Sequence, residues 1–502
     1  MNPTGRLNRF ERLKREKNGL EILGDIFSWI REGRKEISPD DVERLKWYGI
    51  FYRKKLGSYM VRVRVPGGGL KAHQLRVLAR LADARGGVEL TTRQGVQVRG
   101  FELRELPEVL LRLHAAGLAT VQTGMDNIRN LTGCPLAGRD RGELLDATPV
   151  IWEIERRITS NPDFADLPRK LNVSVTGCRE DCAHAYLSDI GLTAATKLVA
   201  GRPLAGFNVA VGGTVGSSCR SLARDLDLFV TPDQAPDLVM ALASLFRDCG
   251  ERENRREARL AFLVSCWGEE RFREELRSRL SFPLLPAGFQ VFVRKGGFHP
   301  PLGPQKQRGY RYLKLPVPAG VLPAPRAREI ARLAEIYGSG ELRLTVDQEV
   351  VLVDVPEERL GALLQEPLVE ELLALGHGVR VVACTGEGEG CDFAVIPTKE
   401  AALSLLREMG KLARGGAHPP FTVRWSGCAH GCGRHLVGDL GLEGTRIQVE
   451  GRQVAAVNVY AGGSPGPGAV LGKLVAEKVP LDELGALVGR LFTADAIPRA
   501  VR

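Results

Sequence analysis

A stretch of this chain occurs twice. Residues 174–192 read SVTGCREDCAHAYLSDIGL, and residues 424–442 read RWSGCAHGCGRHLVGDLGL. At an offset of 250, Gly177, Cys178, Cys182, Asp189, Gly191 and Leu192 match Gly427, Cys428, Cys432, Asp439, Gly441 and Leu442. FNVAVGG (207–213) and VNVYAGG (457–463) keep that offset. Upstream, VPGGGL (65–70) matches VPAGVL (317–322), and ARLA occurs at 79–82 and at 331–334. LTTRQGVQV (90–98) then matches LTVDQEVVL (344–352) with the offset grown by two. Collinear matches at nearly one offset mark an internal duplication of about 250 residues. The fold must therefore place one unit twice.

Each copy has the same order of elements. Alternation predicts a strand at Met60–Val65 and at Tyr312–Val317. An apolar helical spacing follows at 72–84 and 324–336, then a second strand at 88–98 and 341–353, then a helix at 106–116 and 357–366. These make a small β-α-β half-unit, and two such halves are expected to pair into one sheet. The rest of each copy reads as a larger mixed α/β segment that carries the cysteine motif. The expected class is α+β. The expected divisions are an arm at 1–55, a half-unit at 56–120, a larger domain at 121–295, a Gly/Pro-rich connector with the second half-unit at 296–367, and a second larger domain at 368–502. The arm is charged, partly helical and outside the repeat.

Composition narrows the function. With 44% apolar and 26% charged residues, the chain reads as an ordinary globular protein rather than a disordered one. The net charge of +10 suits an anionic substrate or an acidic protein partner. Aromatics are 6% and no basic tract is interleaved with them, which weighs against nucleic acid. No run of 18 apolar residues predicts a membrane span, and the charged start MNPTGRLNRF has no apolar signal region. A cytoplasmic protein is expected. Ten cysteines are too few for a disulfide scaffold, so their clustering points to metal or redox chemistry.

The two copies differ where function would specialise. On the expected strand 90–98, Thr91, Arg93, Gly95 and Gln97 share one face, and Asp347 stands where Arg93 stands in the first copy. On an expected strand 170–175, Lys170, Asn172 and Ser174 share a face, and the second copy has Pro420 and Thr422 at the first two of these places. Arg129 lies in GMDNIRN before a Gly/Pro turn. Three cations and an amide make a candidate anion pocket. Taken singly, each cation would be an ordinary solvated side chain.

The second copy has the fuller cysteine set. Cys384 and Cys391 flank TGEGEG, and Cys428 and Cys432 flank AHG. Four thiolates in two pairs can hold zinc or an iron–sulfur cluster. The wide Gly-rich loop suits a bulky cluster better than zinc. The first copy keeps Cys134, Cys178 and Cys182, with no clear counterpart of Cys384. This reads as a vestige of duplication; the alternative is a second cluster with a non-cysteine ligand. Cys219, Cys249 and Cys266 read as structural, and His184, His430 and His435 as residues that cap or pack beside the cysteines. No G-x-G-x-x-G follows a strand, so no nicotinamide or flavin domain is expected and electrons must come from another protein.

Together RLKWYGIFYR, TTRQ, GMDNIRN, LPRKLN, PQKQ, GSGELRLTVDQ and WSGCAHGC resemble the sirohaem-containing nitrite and sulfite reductases. The likeness spans nearly the whole chain and is strongest to ferredoxin-dependent assimilatory nitrite reductases. It implies two paired ferredoxin-like half-domains and two larger sirohaem and cluster domains. It implies a 4Fe–4S cluster on Cys384, Cys391, Cys428 and Cys432, with Cys432 bridging to the sirohaem iron. The anion pocket would be Arg93, Arg129, Lys170 and Asn172, and Arg169, Lys306 and Gln307 would reach the sirohaem carboxylates. Sulfite reductases of this family tend to carry Lys where this chain has Asn172, so the likeness is to the nitrite type. One fewer cation also suits a singly charged anion. The implied reaction is six-electron reduction of nitrite to ammonia, driven by reduced ferredoxin or a similar acidic donor docking near Lys54 and Lys55, in a monomer. The family usually has five residues between the first two cysteines; here there are six. The alternatives are a sulfite reductase of the same fold, a relative that hydroxylates a corrinoid precursor, and a non-catalytic protein with structural zinc on the second copy's cysteines.

Overall fold

The computed structural model describes residues 7–216, 219–290, 292, 298–375, 379–388, 390–413 and 421–493. Pro420 lies outside them. Both half-units form five-stranded sheets, and the expected single sheet is instead two interlocked ones. One sheet runs Ile50–Arg53, Ser58–Val63, Val96–Phe101, Val88–Leu90 and then Val321–Leu322 from the second copy. The other runs Leu302–Pro304, Tyr310–Leu315, Val350–Pro356, Glu341–Leu344 and then Gly69–Lys71 from the first copy. Each sheet therefore has an edge covered by the other copy, which removes a free edge from both. Helices Ala72–Ala82 and Ala324–Tyr337 close one shared apolar core that includes Leu78, Val98, Ile330 and Leu352.

The expected strand at 88–98 is a hairpin. Thr91 Oγ1 accepts from Arg93 N and Gly95 N, which wraps residues 91–95 into a tight turn. Gln94 takes a φ of +55° at its tip. Arg93 thus projects from a turn and not from a strand face. The second copy repeats the device: Thr345 Oγ1 accepts from Asp347 N and Glu349 N, between Glu341–Leu344 and Val350–Pro356.

The N-terminal segment, though outside the repeat, is not a detached arm. Its helices Arg9–Glu16, Ile22–Arg31 and Pro39–Arg44 lead into the first sheet, and Ile22, Ile26 and Trp29 are buried in the shared core. Trp47 Nε1 donates to Ala165 O at 2.8 Å and ties this segment to the first larger domain.

The two larger domains have matching sheets. In the first, Thr132–Gly133, Val173–Thr176 and Ile190–Val199 pair in parallel, and Arg202–Val211 and Arg224–Val230 add antiparallel strands. In the second, Val379–Ala383, Phe421–Ser426 and Leu440–Val449 are parallel, followed by Arg452–Ala461 and Lys473–Pro480. Parallel neighbours end on one edge, so the loops that leave them meet there. This corrects the cysteine pairing. Cys134 follows the first parallel strand as Cys384 does, at the common offset of 250. What the first copy lacks is a counterpart of Cys391; Arg141 stands at that offset.

Two glutamines fasten the half-units to the larger domains. Gln94 Nε2 donates to Gly133 O and Leu344 O, and its Oε1 accepts from Gly133 N. Gln348 makes the same three bonds with Leu90 O, Ala383 O and Ala383 N. Among the described residues, no helix is long and apolar enough to cross a membrane.

A cationic cleft facing the cysteine loops

A cleft of about 550 Å³ opens between the first half-unit, the first larger domain and the cysteine loops of the second. Arg93, Arg129, Arg169 and Lys170 line it opposite Cys384, Cys391, Cys428 and Cys432. The structure thus brings most of the sequence-derived residues to one cavity. It adds Arg53, Arg62 and Arg255, which sequence reasoning missed. Arg62 carried a faint signal, since it sits at a half-buried position of an otherwise apolar strand and its second-copy equivalent is Lys314. Arg255 lies in a charged run whose spacing gives no signal.

Asn172 does not line the cleft; it holds Arg93. Its Oδ1 accepts from Arg93 Nε at 2.8 Å, and its Nδ2 donates to Asp189 Oδ2 at 3.0 Å. Asp189 is fully buried and paired in turn with Arg259. The Arg129 guanidinium is clamped by Thr123 O and Met125 O, at 2.8 and 2.6 Å. Its Nε is buried with no partner among the described residues. Arg169 and Arg255 share Asp126, with Arg255 bonded at 2.7 Å and Arg169 at 3.5 Å.

Lys306 and Gln307 are not brought to the cleft. Lys306 Nζ pairs with Glu143 at 2.6 Å, and Gln307 Nε2 donates to Gly138 O at 2.8 Å. Lys55 is held by Glu387 in the cysteine loop, which also binds Arg446; Lys54 is exposed. Of the histidines, His430 Nδ1 lies 3.3 Å from Cys428 Sγ, His435 bonds Ser426, and His184 bonds Arg434.

The electrostatics are those of a site that wants an anion. Burial, then Arg93 and Arg53, lower the Arg62 guanidinium to about 9. Burial, then Arg93 and Arg259, hold the Lys170 ammonium well below its ordinary range. Burial, then Arg62 and Arg93, do the same to Arg129. Across the cleft, burial, then Cys432, push the Cys384 thiol up to about 12, and burial raises Cys428 to about 11. Like charges crowd together where water is scarce, and only negative charge between them relieves the cost. In the second copy the equivalent place is filled: Asp347 takes Arg424 at 2.5 Å, and Arg380 pairs with Glu349.

The cysteine loop is built to wrap. Cys384 Sγ accepts from Gly427 N at 3.1 Å, and Cys391 N donates to Gly386 O. Gly386 and Gly390 have φ of +81° and +75°, which turns the chain back on itself. Cys432 is exposed to the cleft side, and its carbonyl accepts from Thr92 Oγ1 at 2.9 Å, so the first copy's turn holds the last cysteine of the second. Groups of three or more ligand atoms within 4.8 Å of one another occur elsewhere among the described residues, but this cysteine set is not one of them. Sulfurs spread more widely fit a cluster of several metal atoms better than one zinc. The orphaned Arg129 Nε and the surplus of buried cations fit a large anionic group beside it.

The architecture and this cleft define a class: a duplicated α+β protein whose second copy turns a four-cysteine set toward a cationic cleft. A profile of the nitrite and sulphite reductase 4Fe-4S domain matches residues 124–284. A profile of the nitrite/sulfite reductase ferredoxin-like half domain matches residues 52–116 and 303–369. The ferredoxin–nitrite reductase of Synechococcus elongatus is 38% identical, covering 97% of this chain and 96% of its own. The assimilatory ferredoxin-dependent nitrite reductase of Haloferax mediterranei is 34% identical over 97% of this chain and 89% of its own. The structure of the Mycobacterium tuberculosis NirA protein superposes with a TM-score of 0.87 at 30% identity, covering 97% of this chain and 93% of that one. The chain belongs to the nitrite and sulfite reductase family, whose members are oxidoreductases that carry sirohaem and a 4Fe–4S cluster.

Proposed function

We propose that this chain reduces nitrite to ammonia with electrons from a reduced ferredoxin. The observation that carries the reading is the convergence of Arg93, Arg129 and Lys170 on the four-cysteine loops in one cleft. Cys384, Cys391, Cys428 and Cys432 would hold the 4Fe–4S cluster, and Cys432, exposed on the cleft side, would be the ligand shared with sirohaem. When bound, these groups would supply the electron path and the iron at which the anion is reduced. Arg62, Arg93 and Arg129 neutralise and orient the anion's oxygens. Asn172 fixes Arg93 by its amide oxygen and stays uncharged, which leaves the pocket one cation short of what a doubly charged anion would favour. Lys170, acidified by burial and by its cationic neighbours, gives protons to the anion's oxygens. Arg169 and Arg255, which line the cleft and share Asp126, would take the carboxylates of the macrocycle. Lys306 and Gln307, paired with Glu143 and Gly138, would have to leave those partners to take that part.

The donor would dock beside the cysteine loop. Lys54 is exposed there, and Leu56 and Phe393, 46% and 68% exposed, flank Gly390 and His430. Lys55 is engaged by Glu387 and belongs to the loop's support. A cytoplasmic monomer completes the reading. The test is anaerobic purification followed by iron and sirohaem counts and turnover with reduced viologen. About five irons per chain on a sirohaem spectrum, with ammonium from nitrite at six electrons each, is the expected result. Turnover of sulfite in preference to nitrite would make it a sulfite reductase. A colourless zinc protein would overturn the reading.

A further inference from the structure

We infer that Cys134, Cys178, Cys182 and His299, none of which lines the cleft, bind a single zinc-type metal ion. Their ligand atoms all lie within 4.8 Å of one another. Cys134 Sγ is 3.2 Å from His299 Nε2, and Cys178 Sγ is 3.5 Å from Cys182 Sγ. A tetrahedral zinc, with bonds of about 2.3 Å to sulfur and about 2.0 Å to nitrogen, spaces its ligands about 3.5–3.8 Å apart. An iron–sulfur cubane would stand between the ligands and hold them farther apart. The residues are 1%, 1%, 7% and 6% exposed, so the site is closed. Three cysteines and a histidine with no open position are the donor set of structural zinc.

Two of the sulfurs have polar neighbours beside them. Leu136 N donates to Cys134 Sγ at 3.3 Å, and Thr176 Oγ1 lies 3.0 Å from Cys178 Sγ. His299 turns its other nitrogen, Nδ1, toward Glu180 at 3.9 Å. At that distance the carboxylate is beyond a direct hydrogen bond and stands only as the nearest acidic group on that side of the ring. Three plain buried thiols would pack as small apolar groups and would not call for an imidazole aimed into them.

The site also has a structural task. Cys134 leaves the first parallel strand, Cys178 and Cys182 leave the second, and His299 comes from the connector between the copies. Val351 and Val353 of the second half-unit pack against the same cluster. The ion would pin the connector to both copies. This revises the vestige reading of the first-copy cysteines: the lost fourth cysteine is replaced by a residue that lies outside the repeat.

The test uses the full chain, purified anaerobically with its own cofactors, and counts metals. About one zinc per chain in addition to iron is expected. His299→Ala should lower zinc occupancy by about tenfold or more, while Cys391→Ala should leave it in place. If His299→Ala does not fold, growth of the unaltered chain on cobalt gives the second readout: thiolate-to-cobalt charge-transfer absorption and a K-edge fit to three sulfurs and one nitrogen. Zinc and cobalt both below a tenth per chain would overturn the proposal. So would zinc that survives His299→Ala and is lost with Cys391→Ala.

Discussion

Asn172 holds Arg93 and is itself held by Asp189, so one neutral side chain fixes both the geometry and the charge of the pocket. Asn172→Lys puts an ammonium beside Arg93 and removes the acceptor. The expected outcome is a fall in nitrite kcat/KM of about tenfold, equivalent to about 1.4 kcal/mol, with a rise in relative turnover of sulfite. A competition assay with both anions reads it, and unchanged selectivity would show that the hold of Asn172 on Arg93 does not set the anion preference. Arg64 matters for a different reason. It is 2% exposed, pairs bidentately with Glu155 at 2.7 Å, and donates to the carbonyls of Gln122, Ile128 and Arg129. Arg64→Ala strands a buried carboxylate and should cost about 3–5 kcal/mol in urea unfolding. Arg64→Lys should recover only part, because one ammonium cannot reach all of those acceptors.

The turns 91–95 and 345–349 were legible as paired segments but not as turns. Alternation continues across both of them, and the threonine hydroxyls that bend the backbone leave no periodic trace. Gln348 shows what the turn is for, since its amide holds Leu90 and Ala383 together from two domains. Gln348→Leu leaves these groups buried and unpaired, and a loss of about 1–3 kcal/mol is expected in thermal or urea unfolding. Asp354 closes another seam, between the second half-unit and Arg139 of the first larger domain. Burial pushes its carboxyl up, but hydrogen bonds from Arg139, Gln305 and Ser339 outweigh this and hold it at about 2, against an ordinary 3.8. A depressed carboxyl stabilises the fold above its unfolded value, and that stability is lost as pH falls through the folded one. Stability should therefore drop between about pH 4 and about pH 2. Asp354→Asn should flatten that stretch of a stability–pH profile while leaving the rest of the curve in shape.

At the scale of the whole molecule, duplication has produced one interlocked body and not two beads. The exchanged strands Gly69–Lys71 and Val321–Leu322 each complete the other copy's sheet, and a single apolar core runs through both. Residues 1–290 and 298–502 expressed separately should each fail to unfold cooperatively, because each half leaves a sheet edge and a core face open. Two sharp separate transitions would contradict the shared core. The sequence alone determined the repeat, the copy that kept four cysteines, and the position at which Arg93 in one copy is Asp347 in the other. All of these are comparisons of one residue with its equivalent along the chain, and they need no knowledge of contacts. It also carried the family likeness, because long motifs survive in order. The tertiary structure alone decided that Arg53, Arg62 and Arg255 join the cleft, that Lys306 and Gln307 bond Glu143 and Gly138 instead, and that His299 meets three cysteines. Periodicity reports which way a side chain faces within its own element. Which distant side chains it meets depends on how strands cross between copies and how loops leave a shared sheet edge, and long-range packing alone fixes that.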